Sequence, residues 1–141
     1  MPDAQTDPTL PDTVRRFLED HRFGVVGSVN PDGSAQQALV WYLVVGDTIV
    51  VNSKEGRRWP SNLRRDRRMS FAVYDGASWV GLNGGVEVVD DPVLAQADIA
   101  TMARLNDPPD VAAASIRIFE GQQRVSFLLR PTAIHAEISG G

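Results

Sequence analysis

The 141-residue sequence contains no cysteine. That excludes a disulfide framework, a thiolate metal site and a cysteine nucleophile. It fits a reducing cytoplasm, the compartment expected for this chain. Histidine is scarce: only His21 and His135 occur, too few for a three-histidine metal centre. Long apolar runs are also lacking. The longest, Ala38 to Val45, is far short of the roughly 20 residues that cross a bilayer. The polar N-terminus has no signal-peptide pattern, so no membrane partner is expected. There is no phosphate-binding P-loop and no nucleophile elbow. Gly81-Leu82-Asn83-Gly84-Gly85 has the wrong spacing for a dinucleotide fingerprint and falls inside an expected strand. Asp90-Asp91 stands at an expected helix start, where capping accounts for the carboxylates without catalysis.

What is present is ordinary in bulk: 43% hydrophobic and 23% charged residues, the composition of a globular protein of one domain. We expect a loose arm over residues 1–10 and a single domain over 11–141. Charge is unevenly spread. The net charge is −4, yet the window Lys54–Arg68 holds seven of the 14 basic residues and only two acids, Glu55 and Asp66. An acidic chain with one basic island fits a small anionic ligand better than a long polyanion, so nucleic acid is not expected as a partner.

Pro11 opens a helix ending near Asp20 to Arg22, with Val14, Phe17 and Leu18 on one face. Phe23–Val29, Gln36–Val45 and Thr48–Asn52 read as strands joined by the turn Pro31-Asp32-Gly33-Ser34 and the two-residue turn Gly46-Asp47. The basic loop then leads into a short helix with Pro60 in its first turn. Arg68–Tyr74 and Ser78–Val89 are further strands, and Gly84-Gly85 marks a bulge or a close backbone approach. Asp91-Pro92 caps a helix whose apolar side is Leu94, Ile99, Met102 and Leu105. Asn106 to Pro109 breaks it, and Val111–Phe119 forms a second short helix. Val125–Leu129 and Ala133–Ile138 read as separate final strands with Pro131 at the joint. Six or seven strands with short links, and three or four helices, point to a closed antiparallel barrel.

The basic loop is the one chemically loaded segment. Backbone N–H groups at a helix start, with arginine forks beside them, make a phosphate site. Lys54, Arg57 and Arg58 are placed to converge there, whereas at least half of Arg64, Arg65, Arg67 and Arg68 should face solvent. No acid, base or nucleophile accompanies this site, so an enzyme built on it would take its chemistry from a cofactor. His21 reads as a helix C-terminal dipole partner and His135 as a structural or surface residue.

The order Pro31-Asp32-Gly33, Val40-Trp41-Tyr42, Gly46-Asp47-Thr48-Ile49, Gly56-Arg57-Arg58 and Asn62-Leu63-Arg64-Arg65-Asp66 resembles the pyridoxamine-phosphate-oxidase-like split β-barrel proteins. It is most similar to the actinobacterial flavin/deazaflavin oxidoreductases that use coenzyme F420. Val86 to Asp91 followed by Pro92 resembles that family's strand-to-helix junction, and the likeness spans roughly residues 12–138. The resemblance implies a mainly β, six-stranded antiparallel split barrel with flanking helices. It implies a homodimer with cofactors in grooves at the interface, and a small-molecule substrate. By that analogy Ala38, Val40, Trp41, Asn52 and Ser53 line the ring site, Lys54, Arg57 and Arg58 hold the phosphate, and Asn62 positions the helix start. The implied activity is hydride transfer between F420 and a small or planar conjugated acceptor. An FMN enzyme of the same fold, either pyridoxamine-phosphate-oxidase-like or a flavin reductase, and a non-catalytic ligand-binding barrel are the alternatives. One position departs from the family. Three residues before Asn62-Leu63 the family places a lysine on the cofactor phosphate, and here that residue is Trp59, which either seals the helix onto the barrel or stacks on a ring.

Overall fold

The computed structural model describes residues 9–139. Six strands and four helices follow in the order α1 (Asp12–Glu19), β1 (Phe23–Val29), β2 (Ala35–Val45), β3 (Thr48–Lys54), α2 (Arg58–Arg65), β4 (Arg68–Asp75), β5 (Ser78–Val89), α3 (Pro92–Asn106), α4 (Pro109–Glu120) and β6 (Arg124–Glu137). Most of the expected arm, residues 1–8, lies outside the described residues. Its expected end is corrected: Leu10 is buried in the core, and its N–H donates to Asp47 Oδ1 at 3.0 Å, so the chain is already docked there.

The strands close into one barrel in the order β1-β2-β3-β6-β5-β4, every pair antiparallel. The two final strands expected around Pro131 are one strand. β6 pairs with β5 from Ser126 to Glu137 and gives Arg124 to Leu129 to β3. Proline lacks an N–H for a ladder and is tolerated at an irregularity. Pro131 sits opposite Gly84, where the register shifts between Asn83 and Gly84. A Cβ on Gly84 would lie 2.3 Å from the Arg130 carbonyl oxygen, so the bulge requires glycine.

Side chains alternate across each strand. On β3, Ile49 and Val51 enter the barrel interior, while Val50 joins a second apolar layer with Ile99 and Met102 of α3. Asp91 caps α3 as expected, accepting from the N–H groups of Val93 and Leu94. The apolar side expected for that helix is corrected in part. Ile99 and Met102 are buried, but Leu94 and Leu105 are exposed, and Ala95 and Ala103 take the inner positions. These small residues let the helix backbone approach the sheet closely.

His21 ties the end of α1 to the β4–β5 turn. Nδ1 lies 2.6 Å from the Phe17 carbonyl and Nε2 lies 3.1 Å from Asp75 Oδ2. Two acceptors facing the two ring nitrogens favour the imidazolium. The backbone bond to Phe17 is the main reason its pKa is raised above the ordinary 6.5. A group whose pKa is raised on folding stabilises fully below its unfolded value and loses that contribution as pH rises through the folded value. The urea midpoint of the native protein is therefore expected to fall between about pH 6 and pH 8 by more than that of His21→Asn, which keeps a donor but does not titrate. Parallel midpoints over that range would overturn the assignment.

Candidate functional site

A cavity of about 360 Å³ opens on the outer side of the barrel, between β2, β3, the start of α2 and the helices α3 and α4. Val40 and Trp41 come from β2 and Asn52 from β3. Ile99 and Met102 of α3 and Phe119 of α4 form an apolar wall. Arg57, Trp59 and Arg124 bring the polar edge, and Phe23 and Leu39 lie on the outer rim.

Of the residues anticipated from the sequence, Val40, Trp41, Asn52, Arg57 and Trp59 line this cavity. The other five do not. Ala38 packs against the barrel-interior cluster. Ser53 is buried on the opposite face of β3 from Asn52, as strand alternation dictates. Lys54 shares the face of Asn52 but is exposed at the strand end, and Arg58 is exposed in the first turn of α2. Asn62 is buried in the middle of α2 rather than at its start. Its Nδ2 donates to Ser28 Oγ (3.1 Å) and Asn30 Oδ1 (2.9 Å), clamping the helix to the end of β1.

The basic island divides by partner. Arg64 is held between Glu55 and Asp90. Arg68 pairs with Asp66 at 2.7 Å, and this hydrogen-bonded guanidinium brings the Asp66 carboxyl down to about 2. Arg65 donates to the Val29 carbonyl and to Asn62 Oδ1. Among the described residues no carboxylate pairs with Lys54, Arg57 or Arg58. Arg67, beyond the end of α2, likewise has no carboxylate partner among them and donates to the Arg64 carbonyl, whereas Lys54, Arg57 and Arg58 stand around the start of α2.

The sequence pattern starts the last strands at Val125, whereas β6 begins one residue earlier, and Arg124 joins the cavity lining. Its register partner is Lys54, so β6 brings a further cation to the same end of β3. Its guanidinium is half-buried, lies 4.8 Å over the Phe119 ring and donates through Nε to Asn52 Oδ1 at 3.0 Å. Burial, and secondarily the charge of Arg57, pull its pKa down to about 10. A half-buried cation beside a second cation is electrostatically incomplete, and an anion between them would relieve both.

Trp59 is 6% exposed, and its ring centroid lies 5.8 Å from that of Phe127 in the barrel core. It seals α2 onto the barrel while one part of it reaches the cavity. A larger groove of about 610 Å³ crosses β1, β4 and β5. It has no aromatic lining, and its one cation, Arg68, is already paired. Chemistry therefore favours the smaller cavity. No group of three or more Asp, Glu or His among the described residues could hold a metal, and no described helix is long and apolar enough to cross a membrane.

The closed six-stranded barrel, with α1 and α2 packed into its core cluster and α3 over β2, β3 and β6, defines the split-barrel class. The family model for pyridoxamine 5'-phosphate oxidase matches residues 10–124. The chain belongs to the pyridoxamine 5'-phosphate oxidase family. Its fold is shared with a conserved hypothetical protein of Mycobacterium tuberculosis (TM-score 0.76, 20% identity, 99% of this chain and 98% of that one). It is shared with an F420 reductase (0.67, 24%, 89% and 98%) and with a heme storage protein of Vibrio cholerae (0.68, 14%, 91% and 94%). A search of curated protein sequences finds no match.

Removing the Trp59 side chain should leave a hole between α2 and Phe127. Trp59→Ala is expected to cost about 3–5 kcal/mol in urea denaturation. A loss below about 1 kcal/mol would show that the ring does not seal the helix to the barrel.

Proposed function

We propose that the protein is an oxidoreductase that binds coenzyme F420 in this cavity and transfers a hydride between it and a small or planar conjugated organic acceptor. The observation that carries this reading is the meeting of free cations with an aromatic, apolar cavity that has no side-chain nucleophile or carboxylate in its lining. Its volume lies at the lower end of the roughly 300–1,000 Å³ usual for ligand pockets. The residues fit a planar ring with an anionic tail: Val40, Trp41, Met102 and Phe119 offer apolar faces, and Arg57, with Lys54 and Arg58 beyond the mouth, offers charge. When bound, such a cofactor supplies the hydride chemistry. The protein's own part is to orient the ring, hold its anionic group by charge-assisted hydrogen bonds and exclude water with the α3–α4 wall. The tail of F420, a phosphate followed by glutamates, is more anionic than that of FMN and suits the cluster of Lys54, Arg57, Arg58 and Arg124.

An FMN enzyme of the same family is the second reading, and the paired titration below separates the two. A non-catalytic binding barrel is favoured by one residue, Trp59 at the position of the family's phosphate-binding lysine. The fold also serves a heme storage protein, but neither histidine of this chain lines the cavity to offer an imidazole to iron. Titrating the purified protein with FMN and with F420 is the test. Submicromolar F420 binding with weak FMN binding is expected, and Arg57→Ala/Arg58→Ala should weaken it at least about tenfold. The reverse preference moves the reading to FMN. Unchanged affinity in the double variant removes the phosphate role of these arginines.

The site is proposed to be completed by a second copy of the chain. Phe23 (60% exposed), Leu39 (77%) and Tyr74 (77%) are large apolar side chains exposed on the outer face of β1, β2 and β4. Phe23 and Leu39 are also cavity rim. Apolar faces of this kind on soluble proteins mark interfaces. Light scattering at micromolar concentration should give the dimer mass, and Leu39→Asp should shift it toward the monomer. A monomeric native protein would contradict a site built at an interface.

A further inference from the structure

Arg124 is held more firmly than any other cation of the cavity, and its hydrogen-bonding capacity is only partly used. A guanidinium has five N–H donors. Nε donates to Asn52 Oδ1 at 3.0 Å and Nη1 donates once to Gln122 Oε1 at 2.7 Å. Three N–H groups, including both on Nη2, have no acceptor among the described residues.

The orientation of this free edge is dictated from a distance. Asp98 on α3 is acceptor-only, so Ser126 must give its hydroxyl hydrogen to Asp98 Oδ2, at 2.7 Å. Ser126 Oγ then accepts from Asn52 Nδ2 at 2.9 Å. The second Asn52 amide hydrogen goes to the Ala95 carbonyl, also at 2.9 Å. With both hydrogens committed, only the Asn52 oxygen can face Arg124. Asn52 and Ser126 are both buried, so each bond of this relay replaces one that water cannot supply. The guanidinium carbon also lies 4.8 Å from the centre of the Phe119 ring, a cation–π contact that adds to its restraint.

We propose that the free edge of Arg124, together with Arg57, is an oxyanion subsite inside the cavity. It takes a phosphate or carboxylate carried by a planar ligand, and Asp98 is its positioning residue, acting through Ser126 and Asn52. The subsite rests on the reading of this cavity as the ligand site, but not on which cofactor fills it. Lys54 and Arg58 stand outside the cavity lining, whereas Arg124 and Arg57 are within it, so the anion they hold belongs close to the ring. Two sources could supply that anion: the cofactor's own phosphate, or an acidic group on the acceptor.

The test is a set of equilibrium titrations with FMN, riboflavin and benzoate on native protein, Arg124→Gln, Arg124→Lys and Asp98→Asn, with F420 and its phosphate-free riboside added as a second pair. If the cofactor phosphate is the occupant, Arg124→Gln weakens the phosphorylated member of the tighter pair by about tenfold and leaves its riboside within about twofold. If the acceptor supplies the anion, both members are unchanged and benzoate binding to the cofactor-loaded protein falls by about tenfold. In either case Arg124→Lys recovers part of the loss. Asp98→Asn reproduces part of it, and combining Asp98→Asn with Arg124→Gln adds nothing further. A purely structural Arg124 would lower the melting temperature without discriminating between a phosphorylated ligand and its riboside. Arg124→Gln leaving all ligands within about twofold overturns the proposal. If no cofactor binds the native protein, the cofactor reading fails on its own, and benzoate binding to the unloaded protein decides the subsite. Native protein that also fails to bind benzoate overturns it.

Discussion

β3 is covered on both faces, by the barrel interior beneath and by α3 above. A polar side chain on such a strand has no access to bulk water, and its hydrogen-bonding groups must find partners within the protein. Asn52 meets that demand by joining three elements: the Ala95 carbonyl of α3, and Ser126 and Arg124 of β6. Those bonds fix the height of α3 over the sheet, hence the depth of the cavity between them. They also turn a long, flexible arginine into a fixed donor. The cavity's shape and its charge therefore have one common cause, a carboxamide that cannot be left unsatisfied.

The arginine-rich segment shows how composition overstates available charge. Seven cations within fifteen residues look like one binding surface. In the folded chain Arg64 and Arg68 are committed to Glu55, Asp90 and Asp66, and Arg65 to a backbone carbonyl and Asn62. They hold the loop and α2 in place, while Lys54, Arg57, Arg58 and Arg67 pair with no carboxylate among the described residues. Lys54, Arg57 and Arg58 lie before α2 or in its first turn, whereas the committed arginines lie in its last turn or just beyond it, where Glu55, Asp66, Asp90 and the end of β1 supply their partners.

Much of the architecture was legible because it is written in local signals. Gly46-Asp47, Asp91-Pro92 and the β-branched run from Thr48 to Val51 each specify geometry within a few residues. Pro131 misled for the same reason. A proline is locally a strand breaker, and the bulge at Gly84 that accommodates it lies nearly fifty residues away. Val40, Trp41, Asn52, Arg57 and Trp59, anticipated from the family resemblance, line one cavity. Arg124 was not anticipated, since its neighbours in sequence carry no charge pattern and its meaning comes from register with Lys54. Ser53, expected beside the ring, is turned away by strand parity, and Asn62, expected to position the start of α2, instead clamps its middle to the end of β1.

The continuity of β6 has a consequence for how the chain reaches this state. β6 is the shared neighbour of β3 and β5, so both carry an unpaired edge until the last strand is in place. Asn52 and Ser126 lie 74 positions apart, and the loop between them must close before their bond forms. Such long-range pairing is slow compared with helix and hairpin formation. Barrel closure is thus a late event, and the α3–α4 pair, whose contacts are local, has time to form ahead of it. The cavity acquires Arg124 only at that final step. A chain still short of closure has the basic loop but not the pocket, and competence to hold a ligand arrives together with the completed fold.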